Sequence, residues 1–243
     1  MAKQKSENSN KKTNRLTMAM ENYLLSIIHL EEQGLPITPA GLANQFKRLP
    51  SGEGLGTSLP SVSGMIKRMM KEGLLRYSEN KSISLTKSGR NSAESMIRRH
   101  RLAECMVVDL LGLDIHRAHE EAHRLEHAIS PDLESKIAET LNHPNTCPFG
   151  HPIPGERYLI PIDLTRLSEV DEGTTFTIDR VPEDDQSLLS YLVDNKLLPG
   201  SIVSLEELAI YRGVIRLRCE NNDVFIGQNV AGRIFVKDLS SNK

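Results

Sequence analysis

The chain has 243 residues, 38% hydrophobic and 26% charged, with a formal net charge of −2. That length suits one large domain or two to three small ones, and the composition is that of a soluble globular protein. No run approaches the ~18 apolar residues needed to span a bilayer, and the opening MAKQKSENSNKKTNR lacks the apolar core of a secretory signal. Cys105, Cys147 and Cys219 form no C-x-x-C pair, which argues against a zinc knuckle or disulfide framework and fits a reducing, cytoplasmic setting.

Residues 1–15 are expected to form a disordered basic tail. From Leu16 to Glu32 apolar residues recur at helical spacing, and Gly34 with Pro36 closes that helix. ITPAGLANQF predicts a short helix with Thr38 as N-cap and Pro39 at the first position. After the glycine-rich LPSGEGLGT, SLPSVSGMIKRMMKEGLL predicts a third helix with Val62, Ile66, Met69 and Met70 on one face. RYSENKSISLT reads as two strands joined by a turn at Glu79-Asn80-Lys81. Three helices and a hairpin, over 16–88, are the order of a winged helix-turn-helix. The 47–57 segment is longer than the usual 3–4-residue turn of such modules, which reads either as an inserted loop that widens the DNA contact or as helix boundaries that lie elsewhere.

A helical domain is expected over 89–146: a long helix from Ser88 to Leu111, a second through HRAHEEAHRLEHAI, and a third in PDLESKIAET. A Pro/Gly-rich linker covers 147–165. Over 166–240 the runs FTIDRV, SIVSLEEL, VIRLRCE, DVFIG and GRIFVKDL alternate with turn residues and predict a small antiparallel barrel. The fold class is therefore α+β.

Charge is unevenly placed. Residues 1–90 hold 14 Lys+Arg against 7 Asp+Glu, and the remainder holds 16 against 25. Without residues 1–13 the first third still has ten basic against six acidic, so the tail explains only part of the excess. A basic helix-turn-helix module points to DNA, with the start of the third helix in the major groove. Ser58, Pro60, Ser61 and Ser63 lie at that start, where hydroxyls reach phosphates or base edges; Lys67 and Arg68 follow along the backbone.

The stretch HEEAH matches H-E-x-x-H, the zinc-hydrolase pattern in which two histidines hold the metal and the glutamate, here Glu120, activates water. His119, His123, Glu126 and His127 fall on one helical face at i, i+4, i+7 and i+8, and His100 and Glu104 form a second i, i+4 pair. Imidazole and carboxylate are ligands for divalent first-row metals. A lone histidine would more often fill space, but a stripe of several ligand types faced by a second pair favours metal. The hydrolase alternative lacks a third ligand, because Leu125-Glu126 continues the helix where a metalloprotease of the H-E-x-x-H-x-x-G type needs glycine.

The blocks ENYLLSIIHLEE, PSVSGMIKRMMKEGLL, LTKSGR, RRHRLAECMVVDLLGLDIHRAHEEAHRLEHAIS and CPFGHPIPG resemble the diphtheria-toxin-repressor family of iron- and manganese-responsive transcriptional repressors. The resemblance runs from about Leu16 through the barrel, which is similar to the SH3-like third domain of the longer members. It implies a homodimer that binds a palindromic operator in double-stranded DNA, with Mn(II) or Fe(II) as co-repressor at two sites per subunit. It also implies that the target genes serve metal uptake, and that the apolar positions of 88–111 and 130–141 supply the dimer surface. Carried over residue by residue, it implies an ancillary site of His100, Glu104 and His119, and a primary site of Asn22, His123, Glu126 and His127. Asn22 stands where the family has Met or Asp, His123 where it has Cys or Glu, and Gly64 where it has glutamine. For ligands from the third domain, Asp185 and Gln186 are the candidates. The all-N/O ligand set suits Fe(II) and admits Mn(II) or Co(II).

Overall fold

The computed structural model describes residues 16–47, 55–78, 82–155 and 164–239. The opening module holds helices α1 (Met18–Glu32), α2 (Pro39–Phe46) and α3 (Leu59–Lys71) and a hairpin of β1 (Leu75–Tyr77) with β2 (Ile83–Leu85). Each helix begins on a hydroxyl that accepts a backbone N–H of the first turn: Thr17 from Met20, Thr38 from Gly41 and Ser58 from Ser61. Thr38 with Pro39 is the cap expected from the sequence. The hairpin turn and most of the 47–57 insertion lie outside the described residues.

α1 is not an amphipathic surface helix. Every residue from Met20 to Leu30 except Glu21 is buried, because the helix lies between the rest of its module and the long helix α4 (Lys87–Cys105). α4 starts at Thr86, whose hydroxyl donates to the Gly73 carbonyl and accepts from Gly89 N–H. Gly89 is required there: a Cβ would stand 1.9 Å from the Leu74 carbonyl oxygen. α4 then serves two interiors. Ala93, Met96 and Ile97 pack with Leu24, Leu42, Val62 and Ile66, while Leu102, Ala103 and Cys105 pack in the second core with Phe149 and the sheet.

The helical stretch expected over 88–111 runs unbroken to Leu110 but changes pitch after Cys105. Residues 106–110 widen so that Leu111 N–H reaches the Met106 carbonyl, five residues back, and Gly112 stops the chain at φ 66. α5 (Ala118–Leu125) and α6 (Pro131–Thr140) complete the helical layer.

The last third is a six-stranded antiparallel sheet in the order β3-β8-β4-β5-β6-β7, with β3 Thr165–Arg166, β4 Thr175–Arg180, β5 Ile202–Ala209, β6 Val214–Cys219, β7 Asn222–Gly227 and β8 Phe235–Asp238. Burial alternates along β4 and β6, so Phe176, Ile178, Ile215 and Leu217 face one interior. Two helices in this part have no counterpart in the sequence reading: α7 (Gln186–Asp194), and the single turn α8 (Gln228–Ala231). α7 shows only Leu189 and Leu192 buried, too short an apolar stripe to stand out.

The segment 147–155, read from sequence as the start of a linker, is packed. Cys147, Phe149 and Ile153 are buried in the core shared by helices and sheet, and the Phe149 carbonyl accepts from Val181 N–H. Gly150 takes φ 84 and passes so close to β4 that a Cβ would lie 1.9 Å from the Asp179 carbonyl oxygen. Among the described residues no helix is long and apolar enough to cross a membrane.

Candidate metal centre

His100 and Glu104, one turn apart on α4, face His119 and His123, one turn apart on α5. His100 Nε2 is 3.0 Å from Glu104 Oε1 and 3.1 Å from His119 Nδ1, and Glu104 Oε1 is 3.0 Å from His119 Nδ1. The rings of His100, His119 and His123 stand 4.7–4.8 Å apart, centroid to centroid. All four side chains are buried. Here the sequence-predicted ancillary set converges, and His123 joins it.

Glu126 lies just past the end of α5. It ties the two candidate sites together, with Oε2 2.5 Å from His100 Nδ1 and Oε1 3.2 Å from His123 Nδ1. His127 lies at the edge of the group, with Nε2 3.4 Å from Glu126 Oε1 and Nδ1 2.7 Å from Glu21 Oε2. Glu21 belongs to α1 and is held in turn by Arg99 at 2.9 Å. Glu21 is thus an α1 side chain that the structure places on His127; Asn22, its neighbour and the sequence candidate, is buried.

The third domain contributes Glu183, from the loop between β4 and α7. One of its oxygens lies with donor atoms of His100, Glu104 and His119, all within 4.8 Å of one another. The candidates chosen from sequence, Asp185 and Gln186, go elsewhere. Asp185 caps α7 by accepting from Leu188 N–H, and Gln186 donates to the His116 carbonyl. The acidic run that carries Glu183 was visible, but its register on the site was not. Two further buried histidines flank Glu183: His29 Nε2 of α1 at 3.3 Å, and His151 Nε2 at 3.6 Å. His29 follows Asn22 by seven residues, two turns of one helix face, a spacing that would have found it.

The electrostatics separate the histidines. Burial lowers the His119 pKa to about 4 and keeps the ring neutral. Burial also works against charge on His100, but the carboxylates of Glu104 and Glu126 overcome it and hold that imidazole well above its ordinary range. For Glu126 the cost of burial is likewise outweighed, by His123 and His100, so it stays ionised. The arrangement fits a divalent cation on an observation independent of the ring count. Glu104 Oε2 and His119 Nε2 are buried without a hydrogen-bond partner, a costly state that a bound cation would relieve. The N/O donors match Mn(II), Fe(II), Co(II) or Zn(II).

Glu120, the general base of the hydrolase alternative, is half-exposed and paired with Arg124 on the outer face of α5. The DNA candidates lie along α3 and at its N-terminal end. Ser58, Pro60, Ser61, Lys67 and Arg68 are exposed along α3 and Ser63 is partly so, with Arg68 3.2 Å from Glu72.

Residues 86–155 match the metal binding and dimerisation domain of the iron dependent repressors, and residues 165–238 match the FeoA domain. The chain is 36% identical over 206 residues to the iron-dependent repressor IdeR of Mycobacterium leprae, covering 79% of this chain and 86% of that one. It is 39% identical over 232 residues to the diphtheria toxin repressor of Corynebacterium diphtheriae, covering 90% and 96%. This chain is a member of the iron-dependent repressor family. A solved manganese-dependent transcriptional repressor in complex with manganese superposes with a TM-score of 0.79 at 28% identity, over 90% of this repressor and 100% of that chain. The manganese regulator SloR gives 0.76 at 28%, over 92% and 100%. The repressor is a metal-dependent DNA-binding transcriptional regulator with a winged helix-turn-helix, a helical metal-binding and dimerisation domain, and an SH3-like third domain.

Proposed function

We propose that Fe(II) or Mn(II) is the co-repressor, held at two positions per subunit: one by His100, Glu104, His119 and Glu183, the other by His123, Glu126 and His127 with Asn22 of α1. A bound divalent cation supplies concentrated positive charge and preferred coordination directions. The residues supply the linkage. Glu21 accepts from His127 Nδ1, which leaves Nε2 as the ligating nitrogen and orients the ring, the usual carboxylate–histidine arrangement behind a metal. That contact carries the reading, because it joins α1 of the DNA-binding module to the metal-binding helix. Any preference of the filled site for one α1 position is passed to α3, and shifts the population toward a DNA-competent arrangement by no more than the difference in affinity.

A homodimer then presents two α3 helices about one DNA turn apart to a palindromic operator. Leu110, Leu111 and Leu133 are exposed on the two segments expected to form the dimer surface. DNA binding when metal is abundant follows from the direction of the linkage; that the repressed genes serve metal uptake is what the family resemblance implies.

The test is His127→Ala, assayed by metal-titrated gel shift with DNA from upstream of the repressor's own gene. The variant should remain a folded dimer and lose metal-stimulated binding; unchanged operator affinity would refute the assignment. Asn22→Ala should raise the metal concentration needed for activation without unfolding the protein.

A further inference from the structure

We propose that His29 is a further ligand of the ancillary ion, so that α1 touches both metal positions. The proposal rests on the assignment of His100, Glu104, His119 and Glu183 to that ion. His29 is buried, and its Nε2 has no hydrogen-bond partner. Glu183 Oε1, 3.3 Å away, has none either. The two meet only each other, in an imidazole–carboxylate contact that falls outside good hydrogen-bond geometry. They are normal as neighbours on one cation, because ligands ~2.1 Å from a metal and at right angles lie ~3 Å apart.

The ring positions agree. Imidazoles sharing one ion have centroids roughly 4.5–6.5 Å apart, from the same bond length and the size of the ring. His29 stands 6.1 Å from His100 and 6.3 Å from His119, and those two stand 4.8 Å from each other. Gln186, the third-domain candidate, is occupied at the His116 carbonyl, so His29 fills a coordination position that the third domain leaves open. His29 is not among the four residues whose donor atoms lie within 4.8 Å of one another. Joining them draws α1 toward α4 and α5, and so couples ancillary loading to the position of the DNA-binding module. Three imidazoles and two carboxylates also move the site away from the oxygen-rich sets that suit Mn(II), toward Fe(II), Co(II) and Zn(II).

The experiment titrates the metal-free full-length protein with Co(II) and follows visible absorption and the number of ions bound. The unsubstituted protein should bind two per chain and His100→Ala only one. His29→Leu should keep the ion at His123, Glu126 and His127, weaken the ancillary ion about tenfold or more, and shift its absorption band. Ancillary affinity within twofold of the unsubstituted protein, with the same band, overturns the proposal. Should His29→Leu fail to fold, the Co(II)-loaded unsubstituted protein decides: paramagnetically shifted imidazole resonances from three rings on the ancillary ion support it, and two rings overturn it. Retention of both ions by His100→Ala would overturn the underlying site assignment instead, and is distinguishable because it does not involve His29.

Discussion

Glu32 of α1 and Arg101 of α4 form a two-pronged ion pair, 3.0 Å from Nη1 to Oε1 and 2.5 Å from Nη2 to Oε2. Arg101 is fully buried, and its Nη1 also donates to the Pro152 carbonyl at 2.6 Å. One guanidinium therefore pins the first helix, the long helix and the 147–155 segment together.

Arg101→Met removes one partner and leaves Glu32 largely buried without its counter-charge. The expected loss is about 3–5 kcal/mol, the range for breaking a buried pair, read as a lower midpoint in urea denaturation of the metal-free protein. Arg101→Lys keeps the charge but not the fork, and should fall between the two. Adding Glu32→Gln to Arg101→Met should recover part of the loss.

The histidine cluster sets how stability depends on pH. His119 is depressed to about 4 from an ordinary 6.5, so between those values the unfolded chain binds a proton that the fold refuses. Its contribution is present above about 6.5 and lost as pH falls toward about 4. His100 is raised, so its contribution is complete below 6.5 and lost as pH climbs through its folded value. Metal-free protein should accordingly be most stable near pH 6.5 and weaken on both sides. A midpoint that rises steadily from pH 6 to pH 9 would contradict this.

Lys67→Ala should weaken binding about equally for operator and unrelated DNA, and should flatten the salt dependence by roughly one unit of slope. Ser61→Ala, at the N-terminal end of α3, should reduce the preference for operator over unrelated DNA more than it reduces overall affinity. Fluorescence anisotropy at several salt concentrations separates the two.

Gly150→Ala forces a methyl onto the Asp179 carbonyl at a φ that L-residues rarely adopt. The strain alone costs about 1–3 kcal/mol. Relief by separation of the segment from β4 would pull Glu183 away from His100 and Glu104. Lower Co(II) affinity at the ancillary position, with DNA affinity of the metal-free form unchanged, is the expected signature.

Much of this was legible in the sequence. The cap at Thr38-Pro39, the apolar face of Val62, Ile66 and Met69, and the spacing of His100, Glu104, His119 and His123 all express local periodicity, and they fold as that periodicity dictates. What escaped depends on contacts between distant segments. Glu183 lies in an acidic run in which each of three neighbouring carboxylates could have been chosen, and only the path of the loop decides among them. Glu21 sits on a helix buried on nearly every side, where a polar residue carries no signal until the elements around it are known; His29 alone on that helix repeats the Asn22 face two turns on. The segment at 147–155 has the composition of a connector but the burial of a core, because its prolines and Gly150 shape it to fit β4.

α4 gives Ala93, Met96 and Ile97 to one interior and Leu102, Ala103 and Cys105 to the other. No seam exists along this rod at which a DNA-reading head could be detached whole. A chimaera that grafts the head of one relative onto the sensor of another must carry the entire rod across, and with it His100 and Glu104, so exchanging operator preference transplants part of the metal pocket too.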